Sequence, residues 1–455
     1  MKSLPNFLYY FFIITIASVF SHCTNIKQLD EYYCILQSGE ATQTSVVLLA
    51  RLQKTDTLLN KDIKGINGFV KFRITRDINS KSYLESPFFS SIESNDFVVK
   101  YEFNGLRPGQ KYYYKINYGP DTSNVTSSPW NSFKTLNLPG SDKNVSFIVA
   151  NGLEFNAISH EMKSNNLEVS ALEANSGIPI LKSISTLKPD FWIINQETQS
   201  SSLLVDSVIS DPTNLTLQWH QLFSLYDLNL LLSGISSYWL IPISNPWQEI
   251  SAKHLPVTLQ SSVPQPFCRT YCINRDIQIW ILGNSDFYDD DAEIKMLPWL
   301  KKTIKESDTP FKLIIGPSAL YGNNSNEKAE NSTASEQFLT RRDSLFNWLK
   351  NNGLRNNGLY FISSIKDVQY HAMDPSGFEE FSCGKLTLAN FSNSLIPIDT
   401  TSRFETAKIS LPFLQNDAKG AFLMVNSGRD EYNSPVLLFR YFDSNLKLLY
   451  AVHKF

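Results

Sequence analysis

Cysteine and histidine are both scarce in this 455-residue chain, at five and six residues. The cysteines, at positions 23, 34, 268, 272 and 383, are too few and too dispersed for a fold built on disulfides. Cys268-x-x-x-Cys272 has no second pair to complete a structural zinc site. A surplus of one charge is missing as well, since 41 Lys and Arg stand against 44 Asp and Glu for a formal net charge of −3. That balance leaves no polybasic footprint for nucleic acid or an anionic membrane. Beyond the N-terminal region, no apolar run reaches the roughly 20 residues of a membrane-spanning helix. Also absent are a Gly-rich phosphate loop, a Gly-x-Ser-x-Gly elbow and a dinucleotide fingerprint, which excludes the commonest nucleotide-binding and serine-hydrolase designs.

What is present begins with Lys2 and the apolar run Phe7–Phe20, with Val19 and Ser21 at the −3 and −1 positions of a cut after Ser21. Residues 1–21 read as a secretory signal peptide, with a retained anchor as the other reading. Asn-x-Ser/Thr sequons at Asn124, Asn144, Asn214, Asn323, Asn331 and Asn390 fit a glycosylating route. The expectation is a secreted, lumenal or vacuolar glycoprotein with no transmembrane segment beyond the signal.

From Gln37 to about Lys134 short runs alternate polar and apolar residues, as in Val70, Phe72 and Ile74 against Lys71, Arg73 and Thr75. Such alternation marks half-buried strands. Leu106-Arg-Pro-Gly-Gln-Lys-Tyr-Tyr-Tyr-Lys115 places a Pro-Gly turn before a Tyr-rich strand, so residues 22–136 read as a fibronectin-III-like all-β sandwich. Residues 137–143, with Pro139 and Gly140, form a linker. In residues 144–455 strands at Val145–Ala150, Asp190–Ile194, Ile277–Leu282, Phe311–Ile315 and Leu359–Ser363 alternate with helical patterns, which argues for a layered α/β domain. Leu297, Leu300 and Ile304 share one helical face, and Leu345, Trp348 and Leu349 another. Leu320–Gln337 reads as an exposed, mobile loop, and Val436–Tyr441 with Leu446–Ala451 as a hairpin. A second hairpin around Asn274-Arg-Asp276 puts Cys268 and Cys272 on one strand. Extended spacing of about 13 Å exceeds the roughly 7 Å a disulfide tolerates, so each is expected as a buried thiol or paired with a distant cysteine such as Cys34 or Cys383.

Several of these segments together resemble the PhoD-like phosphatases. Ile35-Leu-Gln-Ser-Gly-Glu-Ala-Thr, Ser45-Val-Val-Leu-Leu-Ala-Arg-Leu52 and the Leu106–Lys115 turn are similar to that family's N-terminal domain. Pro189-Asp-Phe-Trp-Ile-Ile, Leu297-Pro-Trp-Leu-Lys-Lys, Phe311-Lys-Leu-Ile-Ile, Arg342-Asp-Ser-Leu-Phe-Asn-Trp-Leu, Phe361-Ile-Ser and Glu380-Phe-Ser-Cys-Gly-Lys-Leu-Thr follow in the family's order. The resemblance implies the sandwich followed by a four-layer αββα metallophosphatase domain. It also implies phosphoester hydrolysis at paired metals about 3.5–4 Å apart, held by side chains at the C-terminal strand ends.

The ligand side chains are what the chain then withholds. The family's Ser-Cys is Ala150-Asn151 here, where Asn151 is either a carbonyl ligand or a turn residue ahead of Gly152. Gly-Asp becomes Gln196-Glu197, with Glu197 a vestigial ligand or a loop acid. The region expected to hold Asp-Asp-His reads Leu240-Ile-Pro-Ile-Ser-Asn-Pro-Trp247, without carboxylate or imidazole. Leu282-Gly-Asn-Ser-Asp286 lacks the family's phosphate-binding Arg. Asp367-Val-Gln-Tyr puts Gln369 where the last His is expected, and His371 two residues on is either a substitute or an ordinary histidine. His160, His220 and His254 lie away from the strand ends and show no ligand spacing. The leading expectation is a pseudoenzyme, a scaffold that binds a protein or a small phosphate-containing ligand and needs no metal. The alternative is an active phosphomonoesterase or phosphodiesterase with a site rewired from Asn151, Glu197, Asp286, Asp367 and His371, using calcium, iron, manganese or zinc.

Overall fold

The structure, a computed structural model, describes residues 32–55, 62–151, 178–195, 212–223, 225–240, 247–257, 268–283, 296–317, 319–321, 332–355, 358–363, 369–384, 386, 409–415 and 420–455. The first part of the chain is all β. Its strands are β1 (Tyr33–Gly39), β2 (Ser45–Gln53), β3 (Gly68–Thr75), β4 (Leu84–Glu85), β5 (Phe89–Ser91), β6 (Val98–Asn104), β7 (Lys111–Gly119), β8 (Thr126–Ser127) and β9 (Asn131–Lys134). β1, β2 and β6 pair antiparallel in one sheet, and β3 carries β4, β5 and β7 in another. The alternation seen in Gly68–Thr75 does its expected work. Val70, Phe72 and Ile74 are buried with Leu48, Ala50, Phe103, Tyr112 and Tyr114 in one core shared by the two sheets.

The second part alternates strands and helices. β10 (Ser146–Asn151), α1 (Pro179–Leu187), β11 (Phe191–Asn195), α2 (Pro212–Leu222), α3 (Tyr226–Gly234), β12 (Ser236–Leu240) and α4 (Trp247–His254) come first. β13 (Arg269–Cys272), β14 (Ile277–Ile281), α5 (Leu297–Lys305), β15 (Phe311–Ile315), α6 (Ser332–Asn351), β16 (Leu359–Ser363), β17 (Gln369–Met373), β18 (Glu379–Cys383) and β19 (Ser410–Gln415) follow. Antiparallel β20 (Ala421–Arg429), β21 (Pro435–Asp443) and β22 (Leu448–Lys454) close the chain.

These strands form two large sheets. One has the order β22-β21-β20-β10-β11-β12-β1-β2-β6, so it runs through both parts of the chain; the other is β13-β14-β15-β16-β18-β17-β19. Phe147, Val149, Phe191 and Ile193 of the first sheet pack with Ile279, Ile281, Leu313 and Phe381 of the second. Ile180, Trp219, Leu228 and Leu232 cover the first sheet's other face, and Leu297, Leu300, Leu345 and Leu349 cover that of the second. Each helix thus buries the face its apolar spacing marks out.

Two local readings change. Ser332–Gln337 lies at the start of α6 rather than in a loop, and Leu320 and Tyr321 are buried rather than exposed. The reason for the second is the buried Glu380 carboxylate, which accepts the backbone N–H groups of both residues at 2.7 and 3.0 Å. The Asn274 hairpin stands as expected: β13 pairs antiparallel with β14, and the Asn274 side chain accepts from the N–H groups of Asp276 and Ile277. Among the described residues Cys34, Cys272 and Cys383 are free thiols, and Cys268 is buried just before β13. Burial pushes the Cys383 thiol up to about 12, whereas Cys272 is only half-buried.

Two measurements check this packing. Gly358, which leads into β16, has φ +68°, and a Cβ there would sit 2.0 Å from the Pro310 carbonyl oxygen. Gly358→Ala is therefore expected to destabilise the fold by about 2 kcal/mol or more, read as a lowered thermal midpoint; an unchanged midpoint contradicts this register. Alkylation of the native protein at neutral pH is expected to modify Cys272 well before Cys383, because thiolate population and access both favour it. Equal labelling rates would show that the inter-sheet core around Cys383 is open.

Candidate functional site

The parallel strands β10, β11 and β12 end side by side, with Asn151 in register with Asn195 and Asn195 with Leu240. Both asparagines are buried. The Asn151 amide is buried and has no hydrogen-bond partner among the described residues. Across the fold β14, β15 and β16 end at Ile281, Ile315 and Ser363. The described ends of these six strands thus offer amides, a hydroxyl and hydrocarbon, and β18, parallel to β16, adds at its end the thiol of buried Cys383. A paired-metal hydrolytic centre needs several anionic or imidazole ligands to converge, and the described residues here do not fit one.

Of the five sequence candidates, Glu197, Asp286 and Asp367 lie outside the described residues, leaving Asn151 and His371. His371 is in strand β17 and almost fully buried. Its ring stacks on Phe381 with centroids 4.3 Å apart, Nδ1 meets the Tyr450 hydroxyl at 3.0 Å, and Nε2 meets Glu379 Oε2 at 2.7 Å. Both ring nitrogens are occupied, so the imidazole is a core polar group rather than the strand-end substitute or loop histidine its spacing suggested. Lys454 Nζ also reaches Glu379 Oε2, at 2.6 Å.

Burial opposes ionisation of Glu379, but the bonds from His371 and Lys454 outweigh it and hold the carboxyl below its ordinary value of 4.5. A depressed folded-state value stabilises the fold above the unfolded value, and the contribution is lost as pH falls through the folded one. Glu379→Gln is accordingly expected to cost about 1–3 kcal/mol at pH 7 in denaturant titrations. The difference from wild type should close below about pH 4.5; a gap that persists in acid would deny the carboxylate this role.

A different group of side chains does converge. Asp96, His220 and His254 present ligand atoms within 4.8 Å of one another. Asp96 caps a single 3-10 turn, Glu93–Asn95, in a left-handed backbone conformation with φ 51°, just before β6. Its Oδ2 lies 2.5 Å from His220 Nε2 and 2.6 Å from His254 Nε2. His220 is in the last turn of α2 and His254 ends α4, whose neighbour Trp219 stacks on the His254 ring. Arg51 of β2 holds the aspartate from the other side, Nη2 to Oδ1 at 3.2 Å and Nε to the backbone oxygen at 3.2 Å, and its Nη2 also lies 3.0 Å from His220 Nε2. Asp62 Oδ1 meets His220 Nδ1 at 2.7 Å, and the Ile250 carbonyl meets His254 Nδ1 at 2.8 Å. Burial works against ionisation of Asp96, yet the two imidazoles and Arg51 hold it far below the usual carboxylate range; burial also pulls His254 down. This corrects the reading that His220 and His254 lack ligand geometry. Sequence spacing missed it because the residues sit on separate elements, and only packing of α2 and α4 beside β2 and β6 unites them.

An α/β fold of two facing sheets covered by helices, preceded by an all-β region, is a metallophosphatase-like fold. Residues 28–137 match the family model for the PhoD-like phosphatase N-terminal domain. The structure of PhoD superposes with a TM-score of 0.62 at 14% identity, covering 92% of this chain and 88% of that one. A purple acid phosphatase from yellow lupin (Lupinus luteus) seeds superposes with a TM-score of 0.56 at 8% identity, covering 93% and 74%. No curated protein matches the chain. Residues 28–137 thus match the PhoD-like phosphatase N-terminal domain, and the chain as a whole shares the fold of PhoD. At such identities the likeness speaks for the fold, and the chemistry has to be read from this chain's own side chains.

Proposed function

We propose that this chain is a secretory-pathway glycoprotein in which a fibronectin-III-like sandwich and a four-layer αββα domain serve as a binding or structural scaffold without hydrolysing phosphoesters. The observation that carries this reading is the buried pair Asn151 and Asn195 on adjacent strand ends, followed by Leu240. Metal-assisted hydrolysis needs a Lewis acid to generate hydroxide and to neutralise charge on the phosphoryl oxygens. Neutral amides are poor sole ligands for such an ion, and the Arg that resemblance places after Leu282 is absent from Leu282-Gly-Asn-Ser-Asp286. The secretory part rests on the apolar run Phe7–Phe20 and on the sequons, among which Asn144 is exposed and Asn124 half-exposed. No helix among the described residues is long and apolar enough to cross a membrane. The partner is a protein or a small phosphate-containing ligand.

Hydrolysis of aryl phosphate mono- and diesters is expected at background with calcium, iron, manganese or zinc supplied in turn. Metal-dependent turnover abolished by Glu197→Ala or Asp367→Ala would overturn this reading in favour of an enzyme with a rebuilt strand-end site.

A further inference from the structure

The group around Asp96 is remote from strand-end chemistry in its composition and its supports. The Ile250 carbonyl on His254 Nδ1 can only accept, and so can the Asp62 carboxylate on His220 Nδ1. In each neutral ring the hydrogen therefore sits on Nδ1 and the lone pair on Nε2. Both Nε2 atoms face the same carboxylate oxygen, Asp96 Oδ2, at 2.5 and 2.6 Å. Arg51 Nη2 donates to the His220 lone pair at 3.0 Å, whereas among the described residues no cation meets that of His254, and a metal ion among the three ligand atoms would satisfy them together. Rings anchored through Nδ1 by a carbonyl or carboxylate, with Nε2 directed inward, have the arrangement in which histidines ligate metals. Within the group, Asp62 and Asp96 supply two negative charges against one guanidinium, that of Arg51, so a cation is electrostatically welcome.

We propose that Asp96, His220 and His254 bind one divalent transition-metal ion, zinc by its ligand chemistry, and that the ion clamps the N-terminal β region onto the helices covering the first sheet. Two imidazole nitrogens and one carboxylate oxygen are a donor set suited to zinc, with a fourth position left for water. The three ligands come from the turn before β6 and from the ends of α2 and α4, so the ion would join two parts of the chain. The contact already includes bonds from Lys100 Nζ to the Ala252 carbonyl and from Lys253 Nζ to the Ser94 carbonyl. Arg51 then acts as a positioning residue: it holds the Asp96 backbone oxygen and Oδ1 at 3.2 Å, with Nε at a longer 3.4 Å from Oδ2.

The test uses the full chain, stripped with EDTA, loaded with zinc and passed through gel filtration. Wild type is expected to retain about one zinc per chain and to melt higher than the stripped form. Asp96→Asn and His254→Ala should retain zinc at least about tenfold more weakly, while Asn151→Ala behaves as wild type. If a ligand variant fails to fold, cobalt(II) added to stripped wild type reads the same site, through visible d–d absorption that zinc abolishes. Absence of zinc and of the cobalt spectrum in wild type overturns the proposal and leaves two imidazolium rings on one carboxylate as the explanation of the geometry. Zinc retention insensitive to His254→Ala, or lost in Asn151→Ala, overturns it as well.

Discussion

The join between β1 and β12 is the contact on which the rest of this molecule depends. Gly39 pairs in parallel with Ser237, and the Glu40 N–H donates to the Ser237 carbonyl at 3.1 Å. A Cβ at Gly39 would lie 2.6 Å from Pro256 Cγ and 2.7 Å from the Ser237 carbonyl oxygen, so the chains approach this closely only because the residue is glycine. Buried Glu40 then meets Arg269 at 3.1 Å and the Tyr271 hydroxyl, which ties the end of β1 to β13 of the second sheet. One short parallel pairing thus makes the N-terminal strands an extension of the first α/β sheet. It also sets β2 and β6, with Arg51 and Asp96, beside the helices that bring His220 and His254.

Two regions of the same fold consequently differ in chemistry. At the ends of β10, β11 and β12 the strand packing shared with PhoD is present, and the described side chains there are amide and hydrocarbon. At the join, imidazole and carboxylate groups converge with their outer nitrogens already bound. Resemblance of fold explains the first arrangement without conferring its chemistry, since function resides in particular side chains placed on a scaffold that many activities share. The second has a local cause: Asp96 and Phe97 both adopt left-handed backbone, and the Phe97 ring fits only because Gly65 carries no side chain.

Much of the scaffold was legible from short-range pattern. The alternation in Gly68–Thr75, the apolar runs Phe311–Ile315 and Leu359–Ser363, and the apolar face of Leu297, Leu300 and Ile304 each encode burial within a few residues, and that signal survives folding. Residues 320 and 321 misled because a local surplus of Asn, Ser and Glu further along says nothing of Glu380, which is distant in sequence and draws them into the core. His371 misled differently: strand periodicity gave its face, yet Glu379 and Tyr450 decide what the ring can bind. The Asp96 group was illegible for the same reason in stronger form, since its three side chains lie 124 and 158 residues apart along the chain and no spacing rule spans that distance.

The most direct measurement of the account is a crystal structure of zinc-loaded protein with anomalous diffraction recorded at the zinc edge. The account predicts a single strong anomalous peak among Asp96 Oδ2, His220 Nε2 and His254 Nε2, with none at the strand ends beside Asn151 and Asn195. A peak at the strand ends with the Asp96 group empty would contradict it, and would return the chain to the hydrolytic enzymes whose fold it shares.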